Sequence, residues 1–211
     1  MKARILTLIC ILFVITSSAQ TYGELWKNVV RLDWDDMPKS AEAEAKKIYD
    51  KAKAEQNVPQ LMKAYLAMMT YRGRISPDSI PVDVKALEEW VNRNDVEVHD
   101  KAVLYSILGG VHISEDFEKG DRFLKLSLKD SLSLVNYSAG KMVPMVQSGK
   151  TSRLYMDDNL FDLLARRAID YWKRYQRRTK VEDVQTTIQH TYQSLLNLYQ
   201  RNGKRSAWVL T

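Results

Sequence analysis

One short stretch holds residues whose types could bind a metal. His112, Glu115, Asp116 and Glu118 fall within seven positions, and imidazole and carboxylate groups bind several divalent ions. The same stretch is typical of a helix start, because Ser114-Glu115-Asp116 brings a capping oxygen and negative charge to the positive end of a helix dipole. We expect the helix start here and no metal ligand.

Phosphate-binding and hydrolytic motifs are incomplete. Residues 148–151 (SGKT) resemble the end of a phosphate-binding loop, but Pro144 stands where that loop requires its first glycine. His99 and His190 have no partner at catalytic spacing in the sequence, and no nucleophile elbow places a serine beside them. The sequence therefore predicts no catalytic residue and no cofactor.

A basic cluster follows late in the chain. Such a cluster could contact an anionic glycan, lipopolysaccharide or nucleic acid through charge. The alternative, which we favour, is that the cluster is the solvated face of a helix whose other face is apolar. We then expect at most a weak anionic-glycan contact and no contact with nucleic acid. The cluster consists of Arg166, Arg167, Lys173, Arg174, Arg177, Arg178 and Lys180.

Residues 1–20 have the pattern of a cleaved export signal. Lys2 and Arg4 precede the apolar run 5–16, and residues 17–20 are small or polar. The run is shorter than the roughly 20 residues of a membrane span, so we expect no transmembrane segment. Cys10 is the only cysteine, and cleavage would leave no thiol and a net charge of +4, from 30 basic and 26 acidic residues.

The remainder of the chain predicts an all-α fold. The composition is 45% apolar with 8 Gly and 5 Pro, which excludes collagen-like and disordered chains and disfavours a turn-rich all-β fold. Apolar residues recur at helical spacing, and short connections such as 57–59 (NVP) join neighbouring helices. We predict helices near 22–34, 40–55, 59–69, 84–91, 98–110, 117–135, 160–175 and 181–201.

Short connections between such helices predict antiparallel hairpins, stacked as an α-solenoid or a bundle like tetratricopeptide repeats, over residues 21–203. Residues 76–81 and 136–157 are predicted loops, and Gly109-Gly110 is expected to weaken a helix end. Leu124, Leu126 and Leu128 alternate as in a strand, yet their neighbours favour helix, which we predict.

The segment 204–211 begins another apolar stripe that is too short for an independent helix. We expect Trp208, Val209 and Leu210 to need a partner surface, either as a docking tail or because the chain is cut short at Thr211. We favour the second interpretation.

The order of these segments resembles the N-terminal helical region of large, exported bacterial alpha-2-macroglobulin-like proteins. The stretches that carry the resemblance are 22–27 (YGELWK), 37–41 (MPKSA), 48–64 (IYDKAKAEQNVPQLMKA), 160–171 (LFDLLARRAIDY) and 199–207 (YQRNGKRSA).

The resemblance implies a non-enzymatic docking or spacing module in the periplasm or at the surface of a Gram-negative bacterium. Its partners would be the downstream domains of a longer protease-inhibiting chain, contacted through residues 204–211. It implies no inhibitory residue here, because neither a bait region nor a thioester cysteine is present. The alternatives are a free-standing helical-repeat adaptor and a helical hydrolase with a site near His112 and Glu115.

Overall fold

The computed structural model describes residues 20–145, 159–179 and 184–203. Within these ranges the fold is all-α, as predicted, with the isolated bridge between Ser138 and Asn159 as its only extended pairing. Residues 1–19 of the predicted signal peptide, Lys180 and the segment 204–211 lie outside the described residues. The helices are α1 (Tyr22–Trp34), α2 (Pro38–Ala54), α3 (Val58–Ile75), α4 (Ser79–Val91), α5 (Val98–His112), α6 (Phe117–Ser127), α7 (Ser131–Val135), a 3₁₀ turn (Ala139–Met142), α8 (Leu160–Thr179) and α9 (Val184–Arg201).

The first three helices pack around a small core of their own. Ala41, Ala45, Ile48 and Ala52 lie one or two turns apart on α2 and are fully buried, which confirms the predicted stripe. Because three of the four are alanines, α2 can approach its neighbours α1 and α3 closely. The resulting packing is the first unit of a stack in which consecutive helices from α1 to α6 contact each other, and α8 contacts α5 as well as α7 and α9.

The turn between α2 and α3 is set by local chemistry. Gln56 adopts a left-handed conformation (φ 55°), which ends α2. Asn57 then accepts a hydrogen bond from the backbone N–H of Gln60 through its side chain at 3.3 Å, and Pro59 lies in the first turn of α3. A connection this tight brings two helices together as an antiparallel hairpin.

The predicted loop 76–81 is shorter than expected. The helix α4 already begins at Ser79, so Pro81 is its third residue. Proline is tolerated there because the first backbone N–H groups of a helix have no partner within the helix.

A buried ion pair joins α3 to α4. Arg72 donates from Nε and Nη2 to the two carboxylate oxygens of Asp83, at 3.0 and 2.5 Å. Tyr65 donates to the backbone carbonyl of Asp83 at 3.1 Å. Burial, followed by the negative charge of Asp83, raises the pKa of Tyr65 to about 12, so the phenol stays protonated and donates.

The Gly109-Gly110 pair lies within α5, which runs two residues beyond it. The helix continues to His112, and both glycines lie at contact points between helices. A Cβ atom on Gly109 would lie 2.6 Å from the side chain of Leu124, and one on Gly110 would lie 2.4 Å from the hydroxyl of Tyr171. The glycines therefore let α6 and α8 approach α5 closely.

The leucine-rich stretch after α5 is helical, as predicted, although it divides into α6 and α7 at residues 128–130. The described part of the predicted loop 136–157 contains the 3₁₀ turn Ala139–Met142, and residues 146–158 lie outside the described ranges. The last helix, α9, ends at Arg201, and Gly203 after it adopts a left-handed conformation with a φ of 68°. Among the described helices, none is long and apolar enough to cross a membrane.

Candidate functional site

His112, considered from the sequence as a metal ligand or hydrolase residue together with Glu115, has its side-chain contacts with other residues. The Nε2 atom of His112 lies 2.9 Å from a carboxylate oxygen of Glu88, on α4, whereas Glu115 contacts His112 through its backbone N–H, which donates to the His112 carbonyl at 3.0 Å. Lys119 places its ammonium 2.7 Å from the same oxygen, and Phe123 stacks on the imidazole with ring centroids 5.7 Å apart. These contacts join α4, α5 and α6, which is a structural role.

The predicted helix start beside this histidine is confirmed. Asp116 precedes α6 and accepts a hydrogen bond from the backbone N–H of Lys119 at 3.0 Å. Across the described ranges, no group of three or more histidine, aspartate and glutamate residues is arranged to hold a metal ion.

Glu88 should make the stability of the protein depend on pH. Burial alone would raise its pKa, but hydrogen bonds from Lys119 and His112 outweigh burial and hold that pKa below the ordinary value. A carboxylate with a lowered pKa stabilises the fold above its ordinary pKa, and this contribution is lost as the pH falls through the folded-state pKa.

We therefore expect Glu88→Gln to lower the free energy of unfolding by about 0.5–1 kcal/mol near neutral pH, and by progressively less in acid. Urea unfolding of both proteins across a pH series measures this difference. Glu89→Gln is the matched control, because Glu89 is 70% exposed and its nearest cation, Lys85, is 3.9 Å away. An equal effect of the two variants, or one independent of pH, would contradict the assignment.

A serine–histidine contact that sequence spacing did not predict lies between α5 and α7. The hydroxyl of Ser133 and Nε2 of His99 are 2.9 Å apart, and Tyr137 stacks on the imidazole with ring centroids separated by 3.8 Å. The partners are 34 residues apart in sequence. Neither of the two cavities described below includes Ser133 in its lining, so this contact fits a tie between helices better than an exposed nucleophile. His190, by contrast, is exposed on α9.

The basic cluster on α8 does not form one solvated face. Arg166 is partly buried and donates to Asp162 at 3.1 Å and to the hydroxyl of Tyr199 at 2.6 Å, which corrects the expectation for this residue. Arg167 lies over the ring of Tyr171.

The other described members of the cluster are exposed, as the favoured interpretation requires. Lys173 nonetheless donates to the hydroxyl of Tyr192 at 2.5 Å, which leaves Arg174, Arg177 and Arg178 as the exposed arginines of this helix.

An open groove of about 710 Å³ lies between α6–α7 on one side and α8–α9 on the other. We call it the α7/α9 groove. Leu132, at its rim, is 80% exposed, and no described lining residue is acidic. Its apolar lining residues are Leu128, Leu132, Val135, Phe161, Trp172 and Leu198; its polar and basic ones are Lys125, Ser131, Thr187, His190, Thr191, Ser194, Asn197, Arg201 and Asn202.

A second, smaller cavity of about 230 Å³ lies between the end of α5 and the C-terminal half of α8. Its lining residues are Gly110, Ile113, Ser114, Tyr171, Arg174, Tyr175 and Arg178. The stretch 148–151 and the residues Trp208, Val209 and Leu210 belong to the part of the chain that is not described.

Searches of family models, of curated proteins and of solved structures find no match to this chain.

Proposed function

We propose that residues 21–203 form a non-enzymatic docking or spacing module of an exported alpha-2-macroglobulin-like protein. The observation that carries the proposal is the α7/α9 groove, an open surface with exposed apolar and basic side chains between the last described helices. Stacked hairpins offer extended surfaces that suit protein contact. The resemblance to the helical region of alpha-2-macroglobulin-like proteins implies the kind of protein that contains the module. It also implies a location in the periplasm or at the surface of a Gram-negative cell.

The partner that the groove suits is a protein segment with apolar side chains and acidic neighbours. Leu128, Leu132 and Leu198 offer the apolar contacts, while Lys125 and Arg201 are the described charged residues of the lining. In the proposed context this segment belongs to the downstream domains of a longer chain. A partner with the opposite charge pattern would be disfavoured, since like charges across an interface oppose association.

A non-enzymatic role is supported by the way the histidines of α5 are engaged. His112 is held by Glu88 beneath an aromatic ring, and His99 by Ser133 against Tyr137. These rings hold neighbouring helices together, which suits a module that acts by presenting a fixed surface to a partner.

The size of the native protein tests the proposal. An antibody raised against residues 21–203 is used on cells of the encoding organism, fractionated into cytoplasm, periplasm and membranes. We expect an exported band far above the 24.4 kDa of the 211-residue chain. A band at or slightly below that mass would contradict the macroglobulin context and favour a free-standing helical adaptor, and a cytoplasmic band would contradict export.

The second step of the same test asks whether the groove makes the contact. The downstream region, purified separately, should bind residues 21–203, and Leu132→Glu should weaken this binding about tenfold because it places a charge in an apolar contact. Val82→Glu is the matched control, since Val82 is also exposed (69%) but lies on α4, outside the groove. Equal weakening by both variants would remove the groove from the proposal.

A further inference from the structure

The small cavity between α5 and α8 has the chemistry of an anion site. Arg174 and Arg178 are one helical turn apart on α8, so their guanidinium groups lie on the same face of the helix. Within the described ranges neither arginine has an ion-pair partner, although Arg166 on the same helix does. Two like charges at this spacing oppose each other, and an anion between them would remove that cost.

Two uncharged donors also line the cavity, Ser114 on the α5 side and Tyr171 on α8 itself. Ser114, in the turn after α5, brings an exposed hydroxyl, and Tyr171 brings a phenol. Tyr171 accepts a hydrogen bond from Arg167 at 3.4 Å, which leaves its own O–H proton for a ligand. No described residue of the lining is acidic, so nothing there repels a negative charge.

The shape of the cavity is fixed by packing. The rings of Phe117 and Tyr175 stack with centroids 4.2 Å apart and hold one wall in place. On the other side, the missing side chain of Gly110 lets the Tyr171 hydroxyl come close to α5, because a Cβ atom there would lie 2.4 Å from it. Gly110 is therefore required for the position of a donor, besides the approach of the two helices.

The volume limits what can bind. About 230 Å³ is below the roughly 300–1,000 Å³ of pockets that enclose drug-sized ligands. The cavity therefore fits one small charged group. The fork of an arginine side chain matches the oxygens of phosphate or sulfate, and two such forks with two hydroxyls provide more donors than a carboxylate could use.

We propose that this cavity binds a single phosphate or sulfate group through Arg174, Arg178, Ser114 and Tyr171. The group could be borne by an anionic glycan or be free inorganic phosphate, and both carry the same oxygens. The neighbouring Arg177, which does not line the cavity, is outside the site.

Arginines near the end of α8 would also interact favourably with the negative end of the helix dipole. That role requires no ligand and is shared by Arg177 and Arg178, both in the last turn. The matched comparison is therefore between arginines of one helix, since replacing any of them removes the same charge from the same surface.

The experiment measures binding of the purified protein to a fluorescent sulfated disaccharide, with inorganic phosphate as competitor. We expect Arg174→Gln and Arg178→Gln each to weaken binding about tenfold, as for loss of one charge-assisted hydrogen-bonding group, and Arg177→Gln to change it less than about twofold. Affinity should also fall as salt is added, because the contact is ionic. Circular dichroism confirms that each variant is folded.

Competition by phosphate distinguishes the two sources. If phosphate displaces the disaccharide and binds as tightly, the isolated oxyanion is the ligand; if it displaces the disaccharide only weakly, the group is presented on a glycan. Either result supports the site when the arginine pattern holds. Equal weakening by Arg174→Gln and Arg177→Gln, or no binding of either probe, would overturn the proposal.

Discussion

Replacing Gly120 by alanine is expected to lower the free energy of unfolding by about 2 kcal/mol. Gly120 is buried on α6, and a Cβ atom there would lie 2.5 Å from Cα and 2.6 Å from the backbone nitrogen of Ile113. Backbone atoms cannot turn aside as a flexible side chain can, so α6 must shift away from the end of α5. Alanine favours a helix over glycine by about 1 kcal/mol, which offsets only part of the cost.

The matched control is Gly23→Ala. Gly23 also lies within a helix, α1, but the nearest atom to its added Cβ is the hydroxyl oxygen of Thr21, at 3.9 Å. Here the gain in helix propensity is unopposed, and we expect a change of about 0.5 kcal/mol in the stabilising direction. Chemical unfolding of both variants gives the two values. A stabilised Gly120→Ala protein would show that α5 and α6 do not approach as closely as described.

The contrast between these glycines shows what the sequence can predict. Spacing alone predicts the buried face that contains Ala41, Ala45 and Ile48, because residues on one face of a helix recur periodically in the sequence. The role of Gly109 or Gly120 depends on how closely another helix approaches, and neither residue carries a signal for that distance. The pair Gly109-Gly110, expected from the sequence to weaken a helix, is thus a surface on which other helices pack.

The contacts of His112 and His99 could not be predicted from the sequence for a related reason. The pairing of His112 with Glu88 spans 24 residues, and that of His99 with Ser133 spans 34. Such pairs are set by the angle and register between helices, which local pattern does not encode. The basic character of α8 was visible in the sequence, but its separation into the partly buried Arg166 and the cavity-lining Arg174 required the positions of α5 and α9.

The pairing of Arg166 with α9 leads to the other large effect that we expect. Asp162 is a fully buried carboxylate near the start of α8, and it accepts hydrogen bonds from Arg166 and from the hydroxyl of Tyr199. Burial first, and then the hydrogen bond to Asp162, raises the pKa of Tyr199, so the phenol remains a donor across the physiological range. The three side chains join α8 to α9, and α9 forms one wall of the α7/α9 groove.

We expect Asp162→Ala to lower the free energy of unfolding by about 3 kcal/mol, because it leaves a partly buried guanidinium without its carboxylate partner. Tyr199→Phe removes a single hydroxyl and should cost about 1 kcal/mol. Asp170→Ala is the matched control, since Asp170 is an exposed carboxylate on the same helix, and its loss should change stability by less than about 0.5 kcal/mol. Urea unfolding of the three variants measures these values. If Asp162→Ala were as mild as Asp170→Ala, the contact between α8 and α9 would depend on apolar packing alone, and the position of the groove wall would not require the buried charge.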